Sequence, residues 1–122
     1  IGDTNFLPVE VSAAQGETVQ VKMSSGQVIA ARAPEGATVQ GGATLAVRPE
    51  HATIEDEGTG LLSGVLSEVV YFGTDTHYHV ALDDSTRFVV RQQNSPDRSG
   101  DPVKGARVDV RFAPDVGQVL RD

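Results

Sequence analysis

Strict two-residue alternation constrains this chain more than any other feature. In Thr18-Val19-Gln20-Val21-Lys22-Met23 the apolar residues Val19, Val21 and Met23 share one side and polar residues take the other. The same period returns at Tyr78/Val80/Leu82 and at Val108/Val110/Phe112. Successive side chains of an extended backbone point to opposite faces, so these segments can bury a continuous apolar face only as β-strands. No stretch gives a convincing helix. The 13 glycines and 6 prolines interrupt the chain often. Valine-rich strands at roughly ten-residue spacing predict an all-β fold, a closed or nearly closed antiparallel barrel.

Phe6 to Ser12 reads as a first strand. Thr18–Met23 and Gln27–Ala31 form a hairpin about Ser24-Ser25-Gly26. Short segments follow at 37–39 and 43–47. Leu61 to Phe72 is a long apolar strand that must bend, with Gly64 as the expected bend or bulge. Thr76–Leu82, Arg87–Gln92, Arg107–Phe112 and Gln118–Leu120 complete the set, and residues 93–105 form the longest loop. At 122 residues a single domain is the simplest reading. It divides into a first half 1–55, a Gly-rich loop 56–60 and a second half 61–122.

Composition removes several functions. Net charge is −7, and the 10 basic residues are scattered, so no nucleic-acid surface is expected. Two Tyr, four Phe and no Trp give little material for base stacking. With no cysteine, disulfides, thiolate metal sites and cysteine nucleophiles are excluded. No apolar run approaches the ~20 residues of a membrane-spanning helix. The chain opens on Ile rather than Met and without a leader pattern, and is expected to be a piece of something longer.

Chemical motifs are correspondingly few. There is no phosphate loop of the Gly-x-x-x-x-Gly-Lys-Ser/Thr type and no Gly-x-Ser-x-Gly elbow. His77-x-His79 places two imidazoles on one strand face, with His51 or Asp75 as conceivable third ligands. That face lies opposite Tyr78/Val80/Leu82, which makes it the solvent side, and structural zinc wants about four ligands, so no metal site is expected. Gly36-x-x-Val39-x-x-Gly42-x-x-Leu45 is similar to a biotinyl or lipoyl carrier hairpin. The only lysines, Lys22 and Lys104, lie elsewhere. Catalytic residues: none expected.

Arg48-Pro49-Glu50 follows the apolar run Leu45-Ala46-Val47. Proline has no N–H and fixes its own φ, so a strand reaching Val47 should leave its ladder here and present two charges at a sheet corner. In isolation such charges are a solvated strand end. In order along the chain, Ile1-Gly2-x-x-Asn5-Phe6-Leu7, Val47-Arg48-Pro49-Glu50, Gly64-Val65-Leu66, Val70-Tyr71-Phe72-Gly73, Tyr78-x-Val80-x-Leu82, Gly105-x-x-Val108 and Val119-Leu120 resemble the transport-associated OB (TOBE) domain. That domain ends the ATP-binding subunits of bacterial ABC importers of the spermidine/putrescine or iron(III) type.

The resemblance implies an OB-like barrel with additional short strands and a non-catalytic, regulatory or dimerising role. The segment 71–82 with Gln92-Gln93-Asn94 looks most like the polyamine branch. It implies as partners an upstream ATPase domain, a second copy of the subunit and the membrane permease subunits. It places the domain in the cytoplasm, peripheral to the inner membrane, with ATP and Mg held by the parent subunit and no cofactor in this segment. Gly2, Asn5, Arg48, Pro49, Glu50, Gly64 and Gly73 carry the family pattern and are the candidate interface residues. The alternative is a stand-alone small-ligand barrel binding an oxyanion such as molybdate, with Ser63-Gly64 contributing donors. Nothing in the sequence points to an enzyme.

Overall fold

The computed structural model describes residues 4–15, 18–32, 41–83, 85–94, 102–113 and 116–120. Gly2, the short segment 37–39 and most of the 93–105 loop lie outside them. So does the first half, 36–40, of the Gly36 to Leu45 glycine pattern. The strands are β1 (Asn5–Gln15), β2 (Thr18–Met23), β3 (Val28–Arg32), β4 (Gly41–Val47), β5 (Ala52–Glu55), β6 (Leu62–Phe72), β7 (Asp75–Leu82), β8 (Arg87–Gln93), β9 (Arg107–Phe112) and β10 (Gln118–Leu120). A 3-10 turn, Pro49–His51, precedes β5, and no α-helix occurs among the described residues. The fold is all-β, as the alternation requires.

The chain forms two compact units. One is the chain up to Arg48 together with the segment from Phe112 onward, and the other is Pro49–Arg111. The sequence reading sets its divide at 56–60; that loop lies inside the second unit, and the last strand of the chain belongs to the first.

In the first unit β1-β2-β3-β10-β4 close into a barrel. β4 returns beside β1 with Asn5 opposite Val47, Leu7 opposite Leu45 and Val9 opposite Ala43. β10 fits between β4, which it pairs antiparallel, and β3, which it meets in parallel through Gln118 and Arg32. This parallel contact departs from the expected antiparallel pattern. It arises because β10 reaches the barrel from a distant part of the chain rather than through a hairpin. Val21, Leu45, Val47 and Val119 are fully enclosed. Each such side chain contributes about 1.5–3 kcal/mol by leaving water. β1 is longer than the sequence predicts because a bulge between Val11 and Ala13 carries its pairing with β2 on to Gln15.

The second unit is a five-stranded sheet in the order β5-β9-β6-β7-β8. Its core is Leu62, Leu66, Tyr78, Val80, Leu82, Phe88, Val90, Val108 and Val110. Between the sheet's two outer strands, β5 and β8, the Ile54 N–H donates to Oε1 of Gln92 at 2.7 Å, so a side chain takes the place of a ladder bond. The segment 51–54, which the sequence left unassigned, supplies the last residue of the 3-10 turn and most of β5.

The expected bend at Gly64 is not where β6 bulges. The register shifts between Leu66 and Glu68, and the Ser67 hydroxyl donates to the His79 carbonyl at 2.9 Å there. Gly64 sits in regular pairing with Leu82 on one side and Val108 on the other. Its lack of a side chain serves close packing. A Cβ there would lie 2.4 Å from the Ala81 carbonyl oxygen.

Candidate functional site

The most organised polar constellation lies where the loop 56–60 crosses β9. Strict alternation along Arg107-Val108-Asp109-Val110-Arg111 puts Asp109 on the outward face with the arginines. The structure instead buries it to 2% exposure. The loop covers it: Gly60 packs so tightly that a Cβ would stand 2.7 Å from Cβ of Asp109. One carboxylate oxygen, Oδ2, accepts the N–H groups of Gly58 and Gly60, each at 2.9 Å. The other, Oδ1, accepts the Ser63 hydroxyl at 2.7 Å. Burial pushes the carboxyl pKa up. The bonds from Gly60, Ser63 and Gly58, with the charge of Arg107, outweigh it and hold the group below the usual aspartate value. Asp109 is thus an ionised buried clasp on the loop.

Arg107, two residues earlier, faces solvent and holds two acids. Its Nε donates to Glu57 at 2.7 Å, and its two terminal nitrogens donate to Asp83 at 3.2 and 2.9 Å. The hydrogen bonds to Asp83, then Glu57, raise its pKa further above the ordinary arginine range. Glu57 lies in the loop and Asp83 follows β7, so one guanidinium ties two connections to the sheet. A groove of about 240 Å³ runs alongside, lined by Ile54, Glu55, Asp56, Pro102, Ala106, Arg107 and Val108. Among the described residues no three His, Cys, Asp or Glu side chains are grouped to hold a metal.

β6 and β7 join in a hairpin at Gly73, where β7 stays paired with β8. Beyond the bulge Val69 and Val70 are half-buried, and Tyr71 and Phe72 are 56% and 55% exposed. The Phe72 ring lies 4.4 Å from the ring of His77. Gly73 turns the chain at φ +57°. Asn94 holds this turn from β8: its amide donates to the Gly73 carbonyl at 2.7 Å, its N–H to the Thr74 carbonyl at 2.7 Å, and its Oδ1 accepts the Thr76 hydroxyl. Arg91 bonds Asp75 through two nitrogens, and its pKa is raised by that hydrogen bond first.

The residues nominated by the sequence are scattered. Asn5 is buried in β1 opposite Val47. Pro49 is buried at the head of the 3-10 turn, while Arg48 and Glu50 on either side are exposed. Arg48 has no ion-pair partner among the described residues, and Glu50 acts on Arg91 through space. Gly64 and Gly73 stand at a close strand approach and a turn. Gly2 lies outside the described residues. Sequence reasoning missed Asp109, Arg107 and Asn94. The usable signal for Asp109 was an aspartate between two valines in mid-strand, a position where aspartate is depleted, in a chain that also holds a Gly-x-Gly loop.

This is an OB-like barrel architecture with polar structural clasps and an exposed aromatic hairpin. A family model described as TOBE domain matches residues 45–120, and the chain belongs to that family. It is 59% identical over all 122 residues to a spermidine/putrescine import ATP-binding protein, PotA, of Ruegeria pomeroyi, covering 33% of that relative. It is 42% identical over 122 residues to the PotA of Mesorhizobium japonicum, again 33% of its length. The chain therefore spans about a third of the length of these relatives. Among solved structures, the cytoplasmic molybdate-binding protein ModG superposes with a TM-score of 0.82 at 16% identity, covering 100% of this chain and 99% of ModG. At that identity the likeness is one of fold.

Proposed function

We propose that this chain is the C-terminal, non-catalytic domain of the ATP-binding subunit of a bacterial ABC importer for polyamines. Its role there is to regulate the subunit and to pair two copies of it. The observation that carries the reading is the whole-length match at 59% identity to a spermidine/putrescine import ATP-binding protein. ATP and Mg bind the ATPase domain that precedes it, and the assembled subunit sits on the cytoplasmic side of the inner membrane against the permease subunits. Arg48 and Glu50, exposed on either side of a buried proline, and the exposed pair Tyr71 and Phe72 are the surfaces offered to the ATPase domain or the second copy. The acidic balance of −7 supports the expectation of no nucleic-acid partner.

The test uses the full-length subunit with its permease in membrane vesicles. Deleting this domain, or substituting Arg48→Ala with Glu50→Ala, is expected to lower spermidine uptake and transport-coupled ATP hydrolysis. The double substitution should leave the unfolding midpoint of the 122-residue chain unchanged. Unaltered uptake and hydrolysis after deletion sinks the reading. The alternative, a stand-alone oxyanion-binding barrel, takes support from the ModG superposition. Calorimetry of the 122-residue chain with molybdate discriminates the two, and the importer reading expects no heat of binding.

A further inference from the structure

Three donors in the second unit converge on one carboxylate, and the geometry is that of an anion site. The Gly58 and Gly60 N–H groups and the Ser63 hydroxyl reach the Asp109 oxygens at 2.9, 2.9 and 2.7 Å. Asp109 itself is 2% exposed, while Gly60 and Ser63 are half-buried and Gly58 is exposed. Gly58 has φ +92°, a conformation that side-chain-bearing residues rarely adopt, so the loop is built around glycine. Backbone N–H groups turned to one point can bind an anion. Here the alternate N–H groups of Gly58 and Gly60 converge, while that of Thr59 donates to the Asp56 carbonyl at 3.2 Å.

We propose that Gly58, Gly60 and Ser63 form an oxyanion nest which the chain closes with its own Asp109 side chain, and that the ligand class fitting this nest is a small planar carboxylate. Shape sets the class. Two donors fall on one oxygen and one on the other, which is a planar, two-oxygen pattern. Packing is tight on the Gly60 side, where a Cβ would meet Asp109 Cβ at 2.7 Å and the Val110 carbonyl oxygen at 2.9 Å. A tetrahedral oxyanion carries its oxygens out of that plane and matches the two-oxygen donor pattern less well. The nest is therefore shut to external anions in the natural chain, because a tethered carboxylate holds it at far higher effective concentration than any free one.

Asp109→Ala vacates the volume of one carboxylate and leaves the three donors unpaired. The experiment titrates sodium formate into the 122-residue Asp109→Ala chain, with sodium chloride replaced to keep ionic strength constant, and follows the unfolding midpoint. Formate is expected to raise that midpoint saturably, because a ligand bound only by the folded state stabilises it. Acetate should act more weakly, and sulfate no more than chloride. The natural chain and Asp109→Asn, whose nests are filled, should show no formate-specific shift. If Asp109→Ala is unfolded in chloride, the readout becomes refolding by formate. A formate effect no larger than that of chloride, failure to refold in formate, or an equal shift in the natural chain overturns the proposal. Amide NMR adds an independent measure: formate should move the Gly58 and Gly60 resonances in Asp109→Ala alone, and unmoved resonances count against the nest.

Discussion

Gly64→Ala is the sharpest test of how β6 is packed. The new Cβ would meet the Ala81 carbonyl oxygen at 2.4 Å, the Ala81 carbonyl carbon at 2.9 Å and the Leu82 Cα at 2.9 Å. All three are backbone atoms of the paired strand, so no side chain can rotate away. Relief requires β6 to move by about 1 Å, since carbon–carbon contacts settle near 3.5–4.0 Å. β6 pairs with β7 on one side and β9 on the other at this residue, so the move strains both ladders. Overpacking costs about 1–3 kcal/mol. Weakening two ladder bonds adds about 0.5–1.5 kcal/mol each. Alanine returns about 0.5–1 kcal/mol by restricting the unfolded chain. The net expectation is a loss of about 1–5 kcal/mol, centred near ~3, which at a urea slope of about 1.5 kcal/mol/M lowers the midpoint by roughly 2 M. Tyrosine fluorescence is the right assay, because the chain has two Tyr and no Trp, and Tyr71 and Tyr78 both lie in the second unit. A Gly64→Ala midpoint equal to that of the natural chain would refute the close-packing argument.

Three further outcomes are expected. Gly73→Ala should destabilise by about 1–2 kcal/mol, because φ +57° is left-handed, and Gly73→Asn should recover much of that loss in the same urea titration. Asp109 is held below its ordinary value of 3.8, so the stability it contributes is full above that value. It is lost as pH falls through the folded pKa. The urea midpoint of the natural chain should therefore drop below about pH 4 more steeply than that of Asp109→Asn, and parallel pH profiles would contradict the clasp. Arg107 is exposed and salt-screened, so Arg107→Ala should narrow the difference in thermal midpoint between low and high sodium chloride. An unchanged salt dependence would show that the Glu57 and Asp83 pairs contribute nothing.

The sequence by itself determined the fold class and most of the strands. Val19/Val21/Met23, Tyr78/Val80/Leu82 and Val108/Val110/Phe112 alternate, and a period of two has only one way to bury an apolar face. Pro49 likewise ended β4 on local grounds, since it lacks an N–H. These are properties of a residue and its near neighbours. Tertiary structure decided what depends on distant partners. β10 closes a barrel whose other strands come from the start of the chain. The β6 bulge falls at Ser67 rather than Gly64, because Gly64 is needed where two backbones approach closely. Asp109 reads as solvent-facing by period and is buried, because a glycine loop 49 residues earlier covers it and supplies its donors. Alternation reports which side of a strand a residue faces. Whether that side meets water depends on which remote segment lies over it, and no local pattern encodes that.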